Sequence, residues 1–172
     1  MSDRLATWIR QRPGFPEQVA NYPRPPVLLP CDRHVRVMAL GEVLADCHRS
    51  LRVLETFHPP TYYLPPEALN TAMLRPAAGS SFCEWKGVAY YFDLISADGS
   101  LRCLPRVIWQ YPEPTASFAA LKGWFALYPG KMDSCWLDGE QVRPQPGGFY
   151  GGWITSDVEG PFKGDPQHPE LI

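Results

Sequence analysis

Neither a C-x-x-C pair nor a Cys/His cluster at zinc-ligand spacing occurs in this chain, so its five cysteines, Cys31, Cys47, Cys83, Cys103 and Cys135, do not read as a structural zinc site. Their odd number argues against a disulfide framework. So does the absence of a positively charged segment leading into an apolar one at the N-terminus, and reduced thiols in a cytoplasmic protein are expected. No apolar run approaches the roughly 20 residues needed to cross a bilayer, which excludes a spanning helix. A formal net charge of -2 leaves little electrostatic basis for gripping a phosphate backbone or an anionic membrane, so neither nucleic acid nor membrane is expected as a partner. Neither G-x-x-x-x-G-K-[ST] nor G-x-G-x-x-G is present, so the familiar phosphate loops are missing. No cofactor is expected.

What is abundant is punctuation. Twenty prolines and 14 glycines in 172 residues rule out long helices, while 45% hydrophobic and 13% aromatic residues exclude disorder. The fold class expected is therefore mainly β with a few short helices, in one domain. Residues 2–11 carry Leu5, Trp8 and Ile9 at helical spacing. The prolines at 16, 23, 25, 26 and 30 then forbid regular ladders, so residues 1–30 read as a short helix and an extended arm suited to wrapping the domain or a second copy in a homo-oligomer. Strands are expected at 35–39, 43–46, 51–55, 88–94, 101–111, 124–128, 135–137, 141–142 and 153–155. Asp98-Gly99 and Asp138-Gly139 supply hairpin chemistry, and the turns at Gly41-Glu42 and Gly139-Glu140 have the same form. Pro66-Glu67 starts one short helix, and Thr115 caps another that runs to Leu121. The last part, 147–164, is a loop rich in glycine and aromatics, able to lie close over a ligand.

Functional chemistry concentrates in Cys83-Glu84-Trp85-Lys86-Gly87-Val88-Ala89-Tyr90-Tyr91. Read as one strand, this segment sends Glu84, Lys86 and Tyr90 to one face and Trp85, Ala89 and Tyr91 to the other. With Tyr62, Tyr63, Trp109, Tyr111 and Trp153, the polar face forms the expected ligand-binding set. Lysine among aromatics can hold a carboxylate or phosphate, or serve as base or electrophile when desolvated. The bland alternatives are a surface Lys86 paired with Glu84 and aromatics that simply fill the core. Cys83 and His58 form the one nucleophile and base pair in the chain, although nothing in the sequence brings them together. Asp46, Arg52 and Glu55 read as an ionic cluster that closes the first sheet.

Six ordered segments carry a family resemblance: Gly41-Glu42-Val43-Leu44-Ala45-Asp46, Arg52-Val53-Leu54-Glu55, Pro60 to Glu67, Cys83 to Tyr90, Trp109 to Pro114, and Gly123 to Pro129. Over roughly 33–130 the chain resembles the largely bacterial domain-of-unknown-function family numbered 427, which also bears a nucleotidyltransferase-like label. Phe149 to Thr155 and Gly160 to Gly164 resemble its longer cyanobacterial and plant form. The resemblance implies a β-tent-like fold over 31–172, two small antiparallel sheets leaning together over a cleft. Many tents pin their apex with four cysteines on zinc; this chain lacks them, so apolar packing takes the metal's place. The transferase label implies a Gly-Ser element just before a metal-binding Asp-x-Asp, and neither Gly79-Ser80 nor Gly99-Ser100 has one.

Three functions fit these residues. The first is a binding domain for a small anionic or planar metabolite or nucleotide, held by Lys86, Glu84 and Tyr90 among the aromatics. The second is a metal-independent enzyme with Lys86 as base or electrophile and Tyr90 as acid. The third is a structural or oligomeric module without a small-molecule site.

Overall fold

Short strands between proline and glycine breaks give the computed structural model, which describes residues 15–171, a mainly β fold of several small antiparallel sheets with no closed barrel. The expected helix over 2–11 lies outside the described residues. The arm is not free of ladders. β1 (Glu17–Gln18) is followed by a 3-10 turn at Val19–Asn21 and by β2 (Val27–Cys31). Pro30 is tolerated in β2 because that strand is an edge, where a missing N–H costs no ladder bond. Three further strands follow: β3 (Val35–Ala39), β4 (Glu42–Cys47) and β5 (Ser50–Leu54), the last pairing β2 from Val27↔Leu54 to Cys31↔Ser50. β6 (Thr61–Tyr63) completes that three-stranded sheet.

Two 3-10 turns, Pro66–Ala68 and Thr71–Met73, lead into β7 (Leu74–Cys83), which pattern reading leaves unassigned. Its Pro-Ala-Ala-Gly-Ser-Ser run has low strand propensity, and as an edge strand it lacks a buried face to impose alternation. β8 (Gly87–Ile95) and β9 (Cys103–Gln110) pair beside it, joined around Asp98-Gly99. After a 3-10 segment at Ala116–Leu121, β10 (Phe125–Leu127) closes a sheet of order β10-β9-β8-β7. Thr115 does stand before that 3-10 segment, but its hydroxyl does not cap it; it donates to the Trp85 carbonyl at 2.6 Å.

β11 (Ser134–Leu137) and β12 (Glu140–Gln141) form a hairpin that pairs with the β3–β4 hairpin in the order β12-β11-β3-β4. Both turns use the same device. Leu40 (φ 52) and Gly41 (φ 75), like Asp138 (φ 49) and Gly139 (φ 79), supply the two consecutive positive-φ positions that a type I′ turn requires. Each following glutamate then ties down a distant loop: Glu42 accepts the Ala97 N–H, and Glu140 accepts the Ser156 N–H and hydroxyl. β13 (Arg143–Pro144) pairs β14 (Trp153–Ile154), and β15 (Val158–Glu159) runs parallel to β1.

Period-two alternation separates two cores. Along β10, Phe125 and Leu127 enter the larger one, with Val35, Val37, Leu94, Ile108 and Leu137; Ala126 enters a smaller aromatic one with Tyr63, Trp109, Tyr111 and Phe118. Tyr62 and Leu64 belong to the first and Tyr63 to the second, so neighbouring tyrosines are committed to opposite sides. A third cluster packs Val19 and Tyr22 of the arm on Leu54, Ile154 and Val158. Arg52 does not join Asp46 and Glu55. Its guanidinium forks onto Glu17 at 2.7 and 2.9 Å, while Asp46 takes His34 and Arg36, because β4 and β5 belong to different sheets.

Candidate functional site

The smaller aromatic core opens into a cleft of about 670 Å³, within the range of roughly 300–1,000 Å³ common for small-molecule sites. Its wall is a fixed set of rings. The Trp109 Nε1–H donates to the Tyr63 hydroxyl at 3.3 Å, Trp109 packs on Tyr128 at 4.7 Å between ring centroids, and Tyr63 lies 6.3 Å from Tyr111. Burial raises the phenols of Tyr63 and Tyr111 far above the ordinary range and that of Tyr128 to about 12. All three stay protonated at neutral pH and add no negative charge to the wall.

Glu84 and Lys86 reach the cleft by a route that differs from the strand reading. Residues 84–86 form the turn between β7 and β8, so the segment Cys83 to Tyr91 is a hairpin end rather than one strand. Gly87, at φ 107, restarts the chain, and Thr115 straps the turn through its own N–H to the Lys86 carbonyl and its hydroxyl to Trp85. Lys86 thereby folds back over the aromatic side, its Nζ 5.7 Å from the Tyr111 ring centre, 5.9 Å from that of Phe118 and 3.3 Å from the Cys83 sulfur. It makes no ion pair with Glu84 among the described residues, and both line the cleft.

Of the other expected residues, Tyr63, Trp109 and Tyr111 line the cleft and three do not. Tyr62 and Trp153 pack against each other in the main core, with centroids 4.9 Å apart. Tyr90 points outward and is 49% exposed, and Tyr91 takes the inward position, its ring 4.3 Å from the Arg106 guanidinium carbon. The glycine-rich loop does form part of the wall through Phe149, Tyr150 and Gly151. A side chain at Gly151 would strike the Trp109 ring, so only glycine lets that backbone lie against the indole.

His58 and Gln145 complete the site in a way that local sequence does not signal. Gln145, 3% exposed, accepts the Gly152 N–H with Oε1 and donates from Nε2 to the Lys163 carbonyl and to His58 Nδ1 at 3.1 Å. Its amide orientation is thus fixed, which makes His58 Nδ1 the acceptor and leaves the proton on Nε2, facing Glu55 at 4.0 Å. Burial, with Lys163 and Lys86 nearby, favours the neutral ring against the opposing pull of Glu55. His58 therefore offers the cleft a neutral N–H donor and has no free lone pair to act as a base.

A pH dependence follows from this. An unfolded histidine takes up its proton near pH 6.5 whereas folded His58 resists until lower pH, so the unfolded chain binds more protons in that window and stability falls as pH drops from 7.5 to 5.5. His58→Gln is expected to flatten the fall in urea-denaturation midpoint across that interval. An undiminished slope in the variant would assign it elsewhere.

Among the described residues no group of three His, Cys, Asp or Glu side chains converges in metal-ligating geometry, and no helix is long and apolar enough to cross a membrane. No curated protein matches the chain. Residues 27–138, more than half of the chain, span β2 through the β11–β12 turn and carry Lys86, His58, Tyr63, Trp109, Tyr111 and Tyr128, and over this length the sequence matches the family described as Domain of unknown function (DUF427). The chain belongs to that family.

Proposed function

We propose that this protein binds a small planar anion, such as an aromatic carboxylate or a nucleotide, in the aromatic cleft. The observation that carries the reading is the balance of charge. Arg24, Lys86, Arg106 and Lys163 line the cleft against Glu55 and Glu84, a local excess of positive charge in a chain whose net charge is -2. An aromatic cage for a cation needs vacant ring faces. Here the protein's own cations already lie near them, Lys86 at Tyr111, Arg106 at Tyr91 and Lys163 5.6 Å from the Tyr150 centre. Such cations favour an anionic group, while the remaining faces of the rings favour a flat apolar body. Five free thiols support a reducing, cytoplasmic setting.

The test is a thermal-shift screen of nucleotides, aromatic carboxylates and matched organic ammonium ions. An anion at about 100 times its Kd should add about 2.7 kcal/mol to the folded state, a rise of several degrees. Lys86→Ala should lose most of that shift while melting close to wild type without ligand. If only ammonium ions raise the melting point, or if wild type and Lys86→Ala respond equally to anions, the cleft has been misread.

A further inference from the structure

Binding does not account for the sulfur in this cleft. Cys83 ends β7 at the cleft wall, partly exposed, and accepts a hydrogen bond from Lys86 Nζ at 3.3 Å. The other thiols are placed differently. Cys135 is 2% exposed in the main core, Cys47 donates to the Arg49 carbonyl, Cys31 lines a separate surface hollow, and Cys103 lies on β9 outside the cleft, 3.7 Å from Arg75. Cys83 alone among them faces the anion-attracting cleft.

We propose that Cys83 is a nucleophilic thiol that attacks small anionic electrophiles drawn into the cleft, with Lys86 as its charge partner. The inference rests on the anion-binding reading above for its selectivity. An ammonium beside the sulfur supplies the counter-charge that sulfur needs as its proton leaves, and the same ammonium draws in the carboxylate or phosphate of the incoming molecule. His58 is not the base, since Gln145 already occupies Nδ1 and the proton sits on Nε2. The thiol proton therefore passes to solvent. In the step, the sulfur lone pair forms an S–C bond to the electrophilic carbon while the bond from that carbon to its leaving group breaks, and the leaving group departs with the electron pair. No oxidant or reductant is consumed.

The probes are iodoacetate, an anion, and iodoacetamide, its neutral counterpart; each forms the S–C bond and releases iodide. Rates at each cysteine of the folded full chain are read by peptide mass spectrometry at pH 7.5, with 2-mercaptoethanol as the uncharged reference thiol. The iodoacetate-to-iodoacetamide rate ratio at Cys83 should exceed the reference ratio by about ten-fold, the lower end of what charged clefts achieve. Lys86→Met should bring it to within about two-fold of the reference, and Lys86→Arg should keep most of it. A reference-like ratio at Cys83 in wild type, or a ratio that Lys86→Met leaves unchanged, would overturn the proposal. Cys83→Ser separates the two readings: if a planar anion still raises its melting point while wild-type Cys83 shows no preference, the thiol proposal fails and the binding reading stands. If no anion shifts wild type yet the ratio is high and depends on Lys86, the binding reading fails and the nucleophile stands.

Discussion

Arg52→Ala is expected to destabilise the protein by about 3 kcal/mol, the loss typical of breaking a largely buried ion pair from one side. The Arg52 and Glu17 side chains are only 12% and 23% exposed, and the guanidinium meets both carboxylate oxygens. Among the described residues, removing Arg52 leaves the Glu17 carboxylate with the Tyr22 hydroxyl, which donates to it at 2.7 Å. That single bond cannot replace a charge in a poorly solvated position. The pair also joins β5 to β1, and through β1 to β15, so its loss frees the arm that packs Val19 and Tyr22 on the third cluster. The urea midpoint should fall, and the melting temperature should drop by roughly 10 °C for a chain of this size. Glu17→Leu combined with Arg52→Met should recover much of the loss, because neither charge is then stranded. A change below about 1 kcal/mol would mean that the pair behaves as a solvated surface bridge.

Gly152→Ala should cost about 2–4 kcal/mol, in the range for overpacking a rigid site. A Cβ there would stand 2.5 Å from Gln145 Oε1, 2.5 Å from Pro59 Cγ and 2.8 Å from the Pro59 carbonyl oxygen, so a backbone atom as well as a side chain must yield. The surroundings are already fixed by bonds, from Gln145 N–H to the Gly152 carbonyl at 3.0 Å and from Trp153 N–H to the Pro60 carbonyl at 2.8 Å. The damage should extend beyond stability. Displacing Gln145 also removes the donor on His58 Nδ1, so the bond that fixes the ring's tautomer is lost. Gly148→Ala is the control: its φ of 68 carries strain of about 1–2 kcal/mol, but nothing lies within 4 Å of the added methyl. Equal losses at the two positions would show that crowding at Gly152 is not the cause.

The hairpins at Gly41, Asp98-Gly99 and Asp138-Gly139 are legible in sequence because each turn is specified by its own residues. So is the division of β10, where strict alternation assigns Phe125 and Leu127 to one side and Ala126 to the other. The turn at 84–86 is not legible, since Glu84-Trp85-Lys86 has no turn dipeptide and Gly87 is its only local mark. That one break explains why Tyr90 is assigned to the cleft and Tyr91 occupies it. Tyr62 and Tyr63 carry the same chemistry in adjacent positions, so alternation separates them without saying which faces the ligand side. β7 escapes notice because an edge strand needs no buried stripe. His58, Gln145 and Lys163 meet through segments far apart in the chain, and no local pattern encodes such a meeting.

The sheet of order β12-β11-β3-β4 joins two hairpins across the β3–β11 pairing, in which Val35 lies opposite Leu137. A growing polypeptide emerging at 5–20 residues per second leaves the first hairpin without its partner for on the order of ten seconds. Throughout that interval Val35 and Val37, fully buried at the end, have only a provisional cover. The entropy of closing so long a loop is lost before the β3–β11 contacts reward it, so this pairing is expected to form late in folding.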